Sequence, residues 1–139
     1  ISILNIDKVT KRFWKFFHFK KEQNLADSLV KKLKVKTQDI FTIVSTLSGG
    51  NKQKVTVSKW FEKNPSILLF EDPTVGIDVG AREDIYDIIL EMKKQGVSMI
   101  LASDDIHEYT TLCDRILHIQ KGSLEHVYTK DEFKEEIKA

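Results

Sequence analysis

Ile67-Leu68-Leu69-Phe70-Glu71-Asp72-Pro73-Thr74 is the stretch of this 139-residue chain whose reading decides the fold. Four consecutive apolar residues have the length of a strand, and a continuous apolar run predicts a strand buried on both faces of a parallel sheet. The run ends in two adjacent carboxylates, Glu71 and Asp72, followed by a Pro-Thr turn. Ligands of open α/β sheets sit at the carboxyl ends of strands. The pair is therefore a candidate for holding a cation and acting as a base beside one ligand; a polar strand end facing water is the plainer alternative.

Downstream, helix and strand alternate. Ala81, Ile85, Ile88 and Met92 form a helical stripe, closed by Lys93-Lys94 and by Gly96 in the position that favours a left-handed residue after a helix. Residues 97–102 read as a second buried strand and 105–112 as a short helix. Residues 115–120 and 124–128 read as two strands turned by Lys121-Gly122-Ser123, and the tail from Lys130 as helical. This β-α-β-α-β succession predicts an α/β fold with parallel strands, in a sheet that looks incomplete. Val75-Gly76-Ile77-Asp78 reads as a turn whose aspartate caps the helix beginning near Gly80. Asp104, after the second strand, is a candidate cap for the short helix or a site residue.

Upstream, residues 1–62 read as a mainly helical subdomain, with 63–139 as the strand-containing part. Ile3, Ile6, Val9, Phe13 and Phe17 follow one helical stripe and Leu25, Leu29 and Leu33 a second. Val57, Trp60 and Phe61 mark the expected inner face of a helix that starts just after Gly50. That helix opens with Leu47-Ser48-Gly49-Gly50-Asn51-Lys52-Gln53-Lys54-Val55. A serine and two glycines at a helix start suit an ordinary cap and turn. They also let backbone N–H groups approach an anion with no side chain in the way, at the helix end that favours negative charge.

As a block, residues 47–55 resemble the LSGGNQQKV form of the ABC ATPase signature motif, typical of the second nucleotide-binding half in carbohydrate importers of the ribose and galactose class. Residues 68–74 resemble the Walker B strand and its Pro-Thr turn. The resemblance implies a partial P-loop NTPase core with an N-terminal helical signature subdomain, and it covers nearly the whole chain. It implies that Leu47, Ser48, Gly49, Gly50, Asn51 and Gln53 contact ATP held by a partner nucleotide-binding half, and that Asp78, in the D-loop, crosses toward that half. The family has Asp then Glu where this chain has Glu71 then Asp72. By position Glu71 inherits the Mg2+ role and Asp72 the polarising of the attacking water. Each carboxylate is displaced by about a bond length, and misplacement near 1 Å costs on the order of a hundredfold in rate. Asp104 stands where most members carry a histidine that contacts the γ-phosphate; an acid there repels that phosphate. Both departures imply Mg-ATP binding with slow turnover.

No G-x-x-x-x-G-K-[ST] phosphate loop occurs in the 139 residues. The phosphate-loop portion is expected upstream of Ile1, and the chain alone is expected to neither bind ATP tightly nor hydrolyse it. Opening on Ile1 rather than Met fits a processed or truncated start.

A composition of 41% hydrophobic and 31% charged residues is that of an ordinary globular protein. No apolar stretch reaches bilayer length and no secretory signal pattern is visible. Cys113 is the single cysteine, so no internal disulfide forms, and its fit is to a reducing cytoplasm. The four histidines are far apart, with no zinc pattern. Residues 8–36 hold ten Lys/Arg against Glu22 and Asp27, which points to a basic subdomain with its own partner. Within it, Lys11-Arg12-Phe13-Trp14-Lys15-Phe16-Phe17-His18-Phe19-Lys20 suits a membrane surface, nucleic-acid stacking, or core packing with snorkelling lysines.

The resemblance favours core packing plus docking on transmembrane permease subunits, with no nucleic acid. It implies a peripheral subunit on the cytoplasmic face of the membrane that serves, indirectly, a sugar-binding protein. A catalytically impaired regulatory half is the leading alternative. A soluble ribosome-associated ABC protein is a weaker one, because such members carry Asn-His-Leu-Asp where this chain has Val75-Gly76-Ile77-Asp78. Exposed strand edges predict self-association of the isolated chain.

Overall fold

The computed structural model of the chain describes residues 19–63 and 65–138. The predicted stripe from Ile3 to Phe17 lies outside the described residues, as does the 11–20 stretch apart from Phe19 and Lys20. The chain divides into two compact units, Ile1–Leu68 with Thr74–Ser98, and Leu69–Pro73 with Met99–Ala139. The boundary runs along two strands, so each unit is described by itself.

In the first unit, α1 (Phe19–Lys32) buries Leu29, and Leu33 just beyond it, while Leu25 is half-buried. The helix ends with Val35 N–H on the Val30 carbonyl at 2.9 Å and Lys34 N–H on the Lys31 carbonyl at 3.2 Å. Lys34 takes the left-handed φ of 51° that this closure requires, without a glycine. A 3-10 turn at Val44–Thr46 leads into α2 (Gly49–Phe61). The inner face of α2 is Lys54, Val55, Val57, Ser58 and Phe61. Trp60, expected there, is 39% exposed. At 3.6 residues per turn it lies about 130° round the helix from the middle of that face. α3 (Val79–Lys94) buries Ile85, Tyr86, Ile88, Ile89 and Met92, and Gly96 supplies a φ of 89° after its end.

β1 (Ile67–Glu71) pairs with β2 (Ser98–Ala102). Ser98 N–H donates to the Ser66 carbonyl at 3.0 Å and Asp72 N–H to the Ala102 carbonyl at 2.9 Å. The contacts advance along both chains together, so the pair is parallel. Burial on both faces is not found: β1 alternates, with Leu68 buried and Leu69 73% exposed, and β2 leaves Ile100 exposed. An apolar run records what a strand can bury; covering both faces takes layers that the described residues do not supply.

In the second unit, α4 (Ile106–Leu112) leads to β3 (Arg115–Gln120) and β4 (Ser123–Thr129), an antiparallel hairpin separate from the β1–β2 pair. Lys121 and Gly122 carry φ values of 49° and 79°, the two left-handed residues of a tight hairpin loop. One face of the hairpin is closed by α5 (Lys130–Glu136), whose Phe133 ring meets those of Tyr128 and Tyr109 at 5.8 and 6.2 Å. The other face presents Leu117, Ile119, Leu124 and Val127, all exposed and in register.

Candidate functional site

The start of α2 is built from the motif residues themselves. Ser48 is the N-cap in extended conformation, yet its side chain makes no cap bond to the helix. Asp78, Asp105 and Thr129 each do cap theirs. The Ser48 hydroxyl instead accepts from Asn51 Nδ2 at 2.8 Å, and Asn51 Oδ1 accepts from Lys36 N–H at 2.8 Å. Ser48 and Gly49 are exposed, Leu47 and Gln53 half-buried, and Gly50 buried. The opening of α2 at Ser48 and Gly49 therefore meets solvent without a side-chain cap, an arrangement suited to an anion.

Gly50 is fixed by packing. A Cβ there would come 2.3 Å from the Ala81 Cβ, in the first turns of α3. Gly49 faces the Gly76 carbonyl and the Ile77 side chain, so the 76–78 turn lies beside the opening of α2. Asp78 caps α3 by accepting Ala81 N–H at 2.9 Å, as its spacing predicts. Four residues after Gly50, Lys54 is 3% exposed and bridges to Asp84 at 2.6 Å, with a further bond to the Lys34 carbonyl. The hydrogen bond and charge of Lys54 hold the Asp84 carboxyl below its usual range. Motif reading missed this pair, since neither residue carries a local signal of burial.

In the second unit, Glu71 ends β1 exposed and Asp72 follows half-buried, at a φ of 42°. Asp72 Oδ1 accepts the Asp104 N–H at 3.2 Å, so the structure brings these two candidates together. Asp104 does not cap α4. Asp105 does, accepting His107 N–H at 2.9 Å, because the helix begins one residue later than a cap at 104 requires. His107 stands in the first turn of that helix, exposed. Among the described residues no group of three or more His, Cys, Asp or Glu forms a metal cage. Magnesium binds through one or two carboxylates with phosphate and water oxygens, and Glu71, exposed at its strand end, fits as such a donor.

No model of a protein family matches the chain. The ribose import ATP-binding protein RbsA of Halalkalibacterium halodurans is 38% identical over 136 residues, 98% of this chain and 27% of that protein. The xylose import ATP-binding protein XylG of Geobacillus kaustophilus is 38% identical over 135 residues, 97% of this chain and 26% of that one. The chain belongs to the ABC ATPase family. A solved ABC ATPase structure, the dimeric cassette MJ0796 bound to ADP and Pi, superimposes with a TM-score of 0.69 at 18% identity, over 94% of this chain and 61% of that one. That likeness shows the fold, a partial P-loop NTPase core with parallel strands. This ABC ATPase chain spans about a quarter of the length of the import proteins it matches.

Proposed function

We propose that the chain is part of the ATP-binding subunit of an ABC importer, coupling ATP binding and hydrolysis to uptake of a sugar. The carrying observation is the exposed, uncapped start of α2 at Ser48-Gly49, on a chain 38% identical to ribose- and xylose-import proteins. Leu47, Ser48, Gly49, Gly50, Asn51 and Gln53 present that helix end to the γ-phosphate of ATP held by a partner nucleotide-binding half. Asn51 acts by fixing the Ser48 hydroxyl. Asp78 faces the partner half while capping α3. Glu71 holds Mg2+, which when bound neutralises charge on phosphate oxygens. Asp72 orients the attacking water. The helical part, residues 1–62, docks transmembrane permease subunits, and residues 63–139 carry the ATPase chemistry. A groove of about 320 Å³ lined by Phe19, Ala26, Val30, Ile40, Phe41 and Val44 supports such docking.

On this reading the protein works peripherally at the cytoplasmic face of the membrane, with a sugar-binding protein upstream and no nucleic acid. The chain by itself neither holds ATP tightly nor hydrolyses it. A catalytically impaired regulatory half is the second reading, favoured by the Asp104 N–H on the Asp72 carboxylate and by the Glu71-Asp72 order.

The test is Ser48→Arg in the full-length subunit assembled with its permease. Monosaccharide uptake and ATP hydrolysis fall about a hundredfold, while binding of a fluorescent ATP analogue at the partner's phosphate loop stays at its original affinity. Unchanged uptake overturns the proposal.

A further inference from the structure

α4 carries a side chain that the motif reading leaves unused. The Tyr109 hydroxyl accepts the Ser103 N–H at 2.9 Å and donates to the Ser103 carbonyl, closing on both backbone polar groups of one residue. The residues on either side of Ser103 bond to Asp72: the Ala102 carbonyl accepts the Asp72 N–H at 2.9 Å, and the Asp104 N–H donates to Asp72 Oδ1 at 3.2 Å. Three consecutive residues thus connect one tyrosine hydroxyl to one aspartate, Ala102 at its backbone N–H and Asp104 at its carboxylate.

Asp72 needs such support. Its φ of 42° is left-handed, a conformation costing a non-glycine residue about 1–2 kcal/mol and kept only where surrounding bonds determine it. Aspartate tolerates it more readily than most residues because its short polar side chain can be hydrogen-bonded, and here the donor is the Asp104 N–H, 32 residues along the chain. The donor points correctly only if the 102–104 backbone is held. Ser103 Oγ accepts the Asp105 N–H at 3.0 Å, which ties the loop to the start of α4. Tyr109, one turn further along, fixes it from the other side, its ring set edge-on against Phe133 at 6.2 Å.

We propose that Tyr109 is a positioning residue for the Asp72 carboxylate, acting through the backbone of residues 102–104; its bearing on turnover rests on the reading of Asp72 given above. With Oδ1 fixed, the second carboxylate oxygen is presented in a set direction. The hydroxyl therefore sets the geometry of a carboxylate it does not touch.

Amide hydrogen exchange, read at single-residue resolution on the full chain, tests this. Tyr109→Phe keeps the ring and its contact with Phe133 and removes only the hydroxyl. It speeds exchange at both Ser103 and Asp104 about tenfold, as expected for loss of one hydrogen bond, with the β3 and β4 amides at wild-type rates. Asp72→Ala speeds Asp104 and leaves Ser103 protected, because Tyr109 holds the loop independently of the carboxylate. If Tyr109→Phe speeds Ser103 alone, the positioning role is overturned. In the assembled ATPase the same Phe variant lowers kcat with KM for ATP unchanged. If Asp104 exchange quickens while kcat holds, and Asp72→Asn is also silent, the loop role stands and the reading of Asp72 as water-orienting falls.

Discussion

Gly50 is where the chemistry of the motif and the packing of the fold coincide. It opens α2 beside the candidate phosphate-facing residues, and the 2.3 Å approach of a built Cβ to Ala81 makes it a position where α2 and α3 meet closely. Gly50→Ala is expected to destabilise the chain by about 1–3 kcal/mol through overpacking, a cost that no flexible side-chain end can relieve. Shortening the opposing residue restores the space, so Gly50→Ala with Ala81→Gly recovers most of that loss, less a few tenths to about 1 kcal/mol for a glycine in α3. Urea midpoints of the two single variants and the double variant check this. Additive losses would show that the contact is not what excludes a side chain at position 50. On the proposed reading Gly50 is thus doubly constrained, by the phosphate it suits and by the helix behind it.

At the scale of elements, α2 is tied to α3 through Lys54 and Asp84. The two partners are unequal: the lysine side chain is 3% exposed and the aspartate side chain 30%. Asp84→Asn strands a buried cation and is expected to cost about 2–4 kcal/mol, toward the lower end because Asp84 is partly solvated. Lys54→Met removes the buried charge altogether, leaves an acid that can reach water, and costs less. Equal losses in urea unfolding would contradict this asymmetry. The pH dependence follows in sign. Asp84 has a depressed folded pKa, chiefly through the Lys54 hydrogen bond, so its contribution is fully present above 3.8 and is lost as pH falls through the lower folded value. The gap between wild type and Asp84→Asn is therefore constant at neutral pH and narrows in acid. The same elements show what the sequence made legible. The apolar run at Ile67, Gly96 after α3, Lys121-Gly122 between β3 and β4, and the Asp78 cap were readable because their signals are local: period, φ and hydrogen-bonding capacity. Non-local facts were not. Lys34 closes α1 without the glycine that would announce it, and Trp60 turns outward because its face depends on what packs opposite. The Asp105 cap differs from Asp104 by a single residue of helix phase. Likewise the Glu71-Asp72 pair was visible as chemistry, but the tether of Asp72 to Asp104, and through that loop to Tyr109, spans 32 residues of sequence.

For the whole molecule, the decisive quantity is apolar surface left open. β1 exposes Ile67 and Leu69, β2 exposes Ile100, and the free face of the hairpin exposes Leu117, Ile119, Leu124 and Val127. Among the described residues both sheets have two strands, so each of those strands is also an edge of its sheet. Contiguous apolar patches with open edges are the usual sites of association. A net charge of +1 offers little long-range repulsion to oppose it. The 139-residue chain is therefore expected to self-associate at micromolar concentration, in a manner that salt strengthens rather than weakens, since screening removes residual repulsion and leaves the apolar term intact. Light scattering coupled to size exclusion reads this directly. Placing lysines on the open faces, Leu69→Lys with Ile119→Lys, shifts the distribution toward monomer because a charge on a strand face opposes its burial. A monodisperse wild-type monomer across the concentration series would mean that those faces are satisfied within one chain. Association that persists unchanged in the lysine variant would move the contact elsewhere, to the exposed Phe19, Phe41 and Ile43 beside the α1 groove, where Phe41→Lys then becomes the deciding substitution.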